Sequence, residues 1–206
     1  MRTFGALLAG GAASRLGGVA KPLLKVGGRT MAERSLEPLR GVSERLFVST
    51  DHPALFAPLG LAPVDDGRPE RLGPLAGLAA LERAIRRETD QPFRLLAVPG
   101  DTPFLPDDLG ARLLTGAAPS RVRIAAYRGR WQPTIALWPG EALAGLGAWL
   151  DAVPADRSLR GWIERHSHET VEFPPSPIAP EGDPFFNVNT PNELARARAA
   201  FGAAES

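Results

Sequence analysis

The sequence predicts an α/β fold, a mostly parallel sheet with helices on both faces. Largely apolar runs recur at Phe4–Leu8, Arg45–Ser49 and Phe93–Val98, and each is followed by a turn and then by a segment of helical periodicity. Such runs suit strands buried on both faces, whereas a half-exposed strand would alternate polar and apolar residues. The turns that close them are rich in glycine, aspartate and small residues, where a parallel sheet gathers its ligands. At 206 residues there is room for one substantial α/β domain, Rossmann-like in layout, spanning 1–206.

Element by element, Phe4–Leu8 is the first strand and Leu8-Ala9-Gly10-Gly11 leaves it. Thr30 with Glu33 three residues on is a capping box, opening a helix to Leu39. Arg45–Ser49 is the second strand, followed by the turn Thr50–Pro53 and a short helix to Pro58. Val64-Asp65-Asp66-Gly67 ends a brief apolar segment, and Leu75–Arg87 places residues 75, 78, 81 and 85 on one helical face. Phe93–Val98 is closed by Pro99–Pro106, after which Asp107 and Asp108 cap a helix to Leu114. Arg121–Tyr127 and Pro133–Trp138 read as strands joined by a turn over 128–132. Helices over Gly140–Leu150 and Leu159–Arg165, a strand Thr170–Phe173 and a proline-rich loop Pro174–Asp183 follow. Thr190-Pro191-Asn192-Glu193 is a second capping box with proline at the first helical position, launching a helix to about Ala204.

Composition narrows the function. Net charge is +1, so no basic face is demanded and a general nucleic-acid binder is disfavoured. No cysteine is present, which excludes thiolate nucleophiles and Cys-ligated zinc, and His52, His166 and His168 are scattered. Oxygen ligands are the natural metal chemistry. The start of the chain lacks signal-peptide regions and no run of 18 uncharged apolar residues occurs, so a cytoplasmic protein without membrane contact is expected.

The glycine turn after the first strand reads as an anion site. Gly10 and Gly11 let backbone N–H groups approach a phosphate, and Arg15 and Lys21 add full charge; the only other lysine is Lys25. The spacing fits neither a P-loop nor a G-x-G-x-x-G turn. A plain tight turn with solvated cations is the alternative. Asp101, in a turn stiffened by Pro99 and Pro103, is placed on the same rim, where a carboxylate beside a triphosphate would hold Mg2+; capping of its own turn is the other reading. Of the adjacent Asp65 and Asp66 one at most faces the pocket, and Asp66 is preferred over a solvated role. Asn187 and Asn189 share one face of an extended segment and would offer two amides to a polar substrate, or cap the terminal helix.

Leu8-Ala-Gly-Gly with Arg15-Leu16-Gly17 and Lys21, Gly73-Pro-Leu-Ala-Gly77, Pro99-Gly-Asp-Thr-Pro103, Pro133-Thr-Ile-Ala-Leu137 and Phe186-Asn-Val-Asn-Thr-Pro191 occur in this order along essentially the whole chain. Together they resemble the molybdenum cofactor guanylyltransferases, within the nucleotidyltransferase superfamily and its nucleotide-diphospho-sugar-transferase-like fold. The resemblance implies that GTP and molybdenum-loaded molybdopterin are joined with release of pyrophosphate and with Mg2+ required. By position, Leu8, Ala9, Gly10, Lys21, Asp66 and Asp101 match GTP contacts, and Asp101 matches the Mg2+ ligand. Arg15, Lys21 and Asp101 are thus the expected catalytic set, Asn187 and Asn189 the expected acceptor contacts. The resemblance also admits a molybdopterin-delivering protein and molybdoenzyme chaperones as partners. Gly100 stands where relatives often carry cysteine, and Ser49 where relatives can carry asparagine. Rival readings are a CTP-using molybdopterin cytidylyltransferase, a sugar-phosphate nucleotidyltransferase and a non-catalytic nucleotide-binding module.

Overall fold

The computed structural model describes residues 1–10, 15–16, 19–65, 67, 73–152 and 157–204. Its strands are β1 (Arg2–Leu8), β2 (Arg15–Leu16), β3 (Val19–Ala20), β4 (Lys25–Val26), β5 (Arg29–Thr30), β6 (Arg45–Ser49), β7 (Ala62–Val64), β8 (Phe93–Pro99), β9 (Val122–Tyr127), β10 (Arg130–Pro139) and β11 (His168–Glu172). Its helices are α1 (Met31–Arg40), α2 (Pro53–Phe56), α3 (Pro74–Glu88), α4 (Leu109–Leu114), α5 (Gly140–Leu143), α6 (Leu146–Ala152), α7 (Leu159–Ile163) and α8 (Pro191–Ala204).

Seven strands form one sheet in the order β11-β9-β10-β8-β1-β6-β7. β1 runs parallel to β6 and β8, β6 to β7, and β9 to β11, while β10 alone runs against its neighbours. The predicted α/β class and mostly parallel sheet therefore hold. Side chains alternate between faces along each strand. Phe4 and Ala6 of β1 join Leu75, Leu78 and Leu81 of α3 and the residues of α5 to α7, whereas Leu7 joins Leu36 and Leu39 of α1 and Leu109 and Leu113 of α4. A third cluster seats α8 against Val26, Met31 and Phe104 through Leu194, Ala197 and Phe201. Because β1, β6, β7, β8 and β9 all point one way, Leu8, Ser49, Val64, Pro99 and Tyr127 reach a common rim.

Both capping boxes form. Thr30 Oγ1 accepts from the Glu33 N–H at 3.2 Å while the Glu33 carboxylate accepts from the Thr30 N–H at 2.7 Å, and Thr190 and Glu193 repeat the arrangement at 3.2 and 2.8 Å. Each such cap contributes about 1 kcal/mol.

Several boundaries move. The turn expected over 128–132 contracts to Arg128-Gly129, because Tyr127 and Arg130 already pair across β9 and β10. The helix expected over Gly140–Leu150 is two, α5 and α6, broken where Gly145 adopts a φ of 78° that other residues avoid. Asp108 occupies the first cap position of α4 but makes no side-chain cap bond; instead its carboxylate lies 3.7 Å from Arg112. The last strand starts at His168, earlier than expected, because its pairing with β9 runs from Val122. The helix after Pro53 tightens beyond Phe56 into a 3₁₀ turn over Ala57–Leu59. No helix among the described residues is long and apolar enough to cross a membrane.

Candidate active site

Lys21 opens a 3₁₀ turn, Lys21–Leu23, directly after β3, whose partner strand β2 carries Arg15 opposite Ala20. The lysine is almost fully buried, at 5% exposure. Its ammonium donates to Asp101 Oδ2 at 2.9 Å and to Asn189 Oδ1 at 2.6 Å. A buried ammonium requires such partners, since an uncompensated charge there would be expensive. Three segments that are remote in sequence thus meet at one cation.

The Asp101 turn is fastened on every side. The Gly100 N–H donates to Leu8 O at 3.1 Å, the Asp101 carbonyl accepts from Val188 N–H at 2.9 Å, and the Thr102 carbonyl accepts from Ser35 Oγ at 3.1 Å. Thr102, buried, donates through its hydroxyl to Asn187 Oδ1 at 2.7 Å. Gly100 lies so close to Pro22 that an added Cβ would sit 2.9 Å from that ring. This contact brings the aspartate turn down onto the turn that begins with Lys21.

Asn187 and Asn189 stay exposed on one face, with Val188 buried between them, as the two-residue period predicts. Neither side chain caps α8. Thr190 does that, while Glu193 holds the Asn189 N–H at 2.8 Å. On the other flank, the Ala9 N–H donates to Ser49 O at 2.9 Å, fixing the start of the glycine turn to the end of β6. Gly10 is exposed, and a Cβ built on it would stand 3.7 Å from an Asp51 carboxylate oxygen. Leu8 is half-buried and Ala9 buried beneath it. Ser49 packs against Gly77 of α3 closely enough to exclude a side chain there. Gly11, Gly17, Gly18 and Asp66 lie outside the described residues.

A MobA-like NTP transferase domain matches residues 5–171. The chain belongs to the MobA-like NTP transferase family. It resembles a molybdenum cofactor guanylyltransferase of Rhizobium meliloti (strain 1021), 41% identical over 94% of this chain and 89% of that one. A protein of the same name from Acidiphilium cryptum (strain JF-5) is 40% identical over 94% and 92%. The crystal structure of molybdopterin-guanine dinucleotide biosynthesis protein A from Archaeoglobus fulgidus superposes with a TM-score of 0.66 at 20% identity, over 98% of this chain and 100% of that one, a likeness of fold. This MobA-like transferase is a nucleotidyltransferase.

Sequence reading alone did not single out Thr102 in the transferase. Thr102 stands inside the motif already noticed, yet its role in tying Asp101 to Asn187 is visible only once the chain is folded. Among the described residues no group of three or more His, Asp or Glu side chains gathers to hold a metal alone. Asp101 keeps a fifth of its side chain accessible, at 20%, and only Oδ2 is engaged by Lys21. One open carboxylate suits Mg2+, which typically takes one or two protein oxygens and fills the rest with phosphates and water.

Proposed function

We propose that the protein transfers GMP from GTP to molybdenum-loaded molybdopterin, forming the guanine dinucleotide form of the cofactor and releasing pyrophosphate, as a single nucleotidyltransferase domain acting in the cytoplasm. The observation that carries this reading is the convergence of Lys21, Asp101 and Asn189 at the rim where the glycine turn also leaves β1. On one side of that point Lys21 supplies charge for a triphosphate next to the start of the glycine turn. The other side offers neutral amides to an acceptor.

Leu8, Ala9, Gly10 and Asp66 are assigned to GTP, with Lys21 and Asp101 facing its phosphates and Arg15 adding charge from β2. Asp101 would hold Mg2+, which would supply positive charge to offset the negative charge of the phosphates in the transition state. An oxygen of the acceptor's terminal phosphate attacks the α-phosphorus in line. The bond to the bridging oxygen breaks, and pyrophosphate departs with the electron pair. The attacking phosphate is already an anion, so no side chain has to remove a proton. Lys21, fixed by two oxygens, contributes a preoriented charge, and Asn187 and Asn189 align the acceptor.

The test is the mass of the pterin product after incubation with molybdenum-loaded molybdopterin, Mg2+ and either GTP or CTP. A guanine dinucleotide from GTP alone is expected. A cytosine product would reassign the donor, and no product with either would return the chain to the sugar-phosphate or non-catalytic readings.

A further inference from the structure

A cavity of about 370 Å³ opens on the same rim, between the β9–β10 hairpin and the segment Phe185–Asn187. We propose that it holds the pterin and metal-dithiolene end of the acceptor, with the Arg128 and Arg130 guanidiniums as its anion contacts. This rests on the transferase reading above, and it adds the hairpin to the acceptor site that Asn187 and Asn189 begin. β9 runs parallel to β8, with Ile124 and Ala97 both opposite Ala136 of β10, so Tyr127, at the end of β9, stands near the level of Gly100, next to Asp101. Asn187, which lines the cavity, accepts the Thr102 hydroxyl; one residue therefore separates the cavity from Asp101.

The charges around the cavity are unequally engaged. Glu181 is paired with Arg196 at 2.7 Å, Asp183 accepts from the Phe185 N–H at 2.8 Å, and Glu193 is occupied by its capping box. Among the described residues neither Arg128 nor Arg130 has a carboxylate partner. Arg128 only lies over the Tyr127 ring, at 5.0 Å. Both guanidiniums are exposed, and neither is held by a carboxylate of the cavity wall. Such forks suit a flat or multiply charged anion better than a lysine would.

Two local features have no use in the ligand-free fold. Tyr127 is 7% exposed and lines the cavity, yet its hydroxyl has no hydrogen-bond partner. A buried phenol normally finds one, so this hydroxyl is open to a polar group of a bound molecule. Arg128 takes a φ of 50° in a two-residue turn with Gly129 at 72°, where asparagine or glycine would be far less strained. Strain of this kind collects at sites that bind. The volume fits a bicyclic ring, and Phe185 and Phe186 supply an aromatic wall.

The experiment compares wild type with Arg130→Ser, Arg128→Asn and Tyr127→Phe at saturating GTP, varying molybdenum-loaded molybdopterin and recording GTP affinity and thermal midpoint. The KM for molybdopterin should rise about tenfold for each arginine variant, the equivalent of one charge-assisted contact, with GTP affinity unchanged. Arg128→Asn and Tyr127→Phe should raise the thermal midpoint while weakening the acceptor, a pairing of signs that a structural role would not give. An active wild type whose variants keep their KM overturns the subsite and leaves the transferase reading standing. A loss of GTP affinity in both arginine variants places them on the nucleotide and also overturns it. A wild type that makes no dinucleotide removes the transferase reading, and the subsite with it.

Discussion

The Lys21 ammonium rests on the Asn189 side-chain carbonyl at 2.6 Å, joining residues 168 positions apart. Asn189 is neutral, so it orients the lysine without cancelling its charge. Asn189→Ala should lower kcat/KM about tenfold, since a hydrogen bond to a charged group contributes roughly 1.5–3 kcal/mol. Asn189→Asp should be worse for GTP affinity, because a second carboxylate would neutralise the cation meant for phosphate. Steady-state kinetics with GTP varied checks both, and equal effects of the two variants would show that orientation alone matters.

Lys21 and Asp101 form a largely buried pair, with side chains 7% and 20% accessible. Removing one partner strands the other, so Lys21→Met and Asp101→Leu should each destabilise the fold by up to about 3–5 kcal/mol, less the share that water relieves at the more open aspartate. The double variant should regain most of that stability, because an apolar pair tolerates the site. It should have no turnover at all. Chemical denaturation of the three variants separates the two roles; a double variant as unstable as the singles would mean that the pair is needed for the fold itself.

How far the sequence could be read follows from interaction range. The capping boxes at Thr30 and Thr190 are decided within four residues, and both appear as expected. The long strands were legible because burial on both faces leaves continuous apolar runs. Gly145 was visible in the sequence, but not that it would adopt positive φ and split a helix, which depends on packing of α5 and α6 against α3. Lys21 and Asp101 were each legible as chemistry, through rarity and turn context. Their mutual contact, and that with Asn189, arises from chain segments 80 and 168 residues apart and has no local signal.

Gly100 illustrates the same limit and yields a test. Its Cβ position would lie 2.9 and 3.0 Å from two carbons of the Pro22 ring, too close for a rigid neighbour to accommodate. Gly100→Cys should therefore push the aspartate turn away from Lys21 and reduce turnover, with an overpacking cost of about 1–3 kcal/mol. Adding Pro22→Gly removes the ring and should restore both quantities. A double-mutant cycle measures the coupling, and additive effects would place the fault elsewhere than in this contact.

The acid side of stability should run through the two capping glutamates. Backbone N–H donors, Thr30 for Glu33 and Asn189 for Glu193, hold both carboxyls below the usual glutamate range. A lowered folded value means that the stabilisation is fully present above the ordinary glutamate pKa, about 4.3, and is lost as pH falls through the lower folded value. Glutamine can still complete a capping box but does not titrate. Glu193→Gln should thus be slightly less stable than wild type at neutral pH, by about 0.3–1 kcal/mol for the lost charge at the helix N-terminus, and the difference should vanish once pH has fallen through the lowered folded value. Thermal midpoints of both proteins across that range test it, and a difference constant with pH would remove the titration from the account. Glu193 also grips the Asn189 N–H, and Asn189 grips Lys21, so acid that protonates Glu193 loosens the lysine's support. Turnover of wild type should accordingly fall below that pH more steeply than turnover of Glu193→Gln, each relative to its own neutral value.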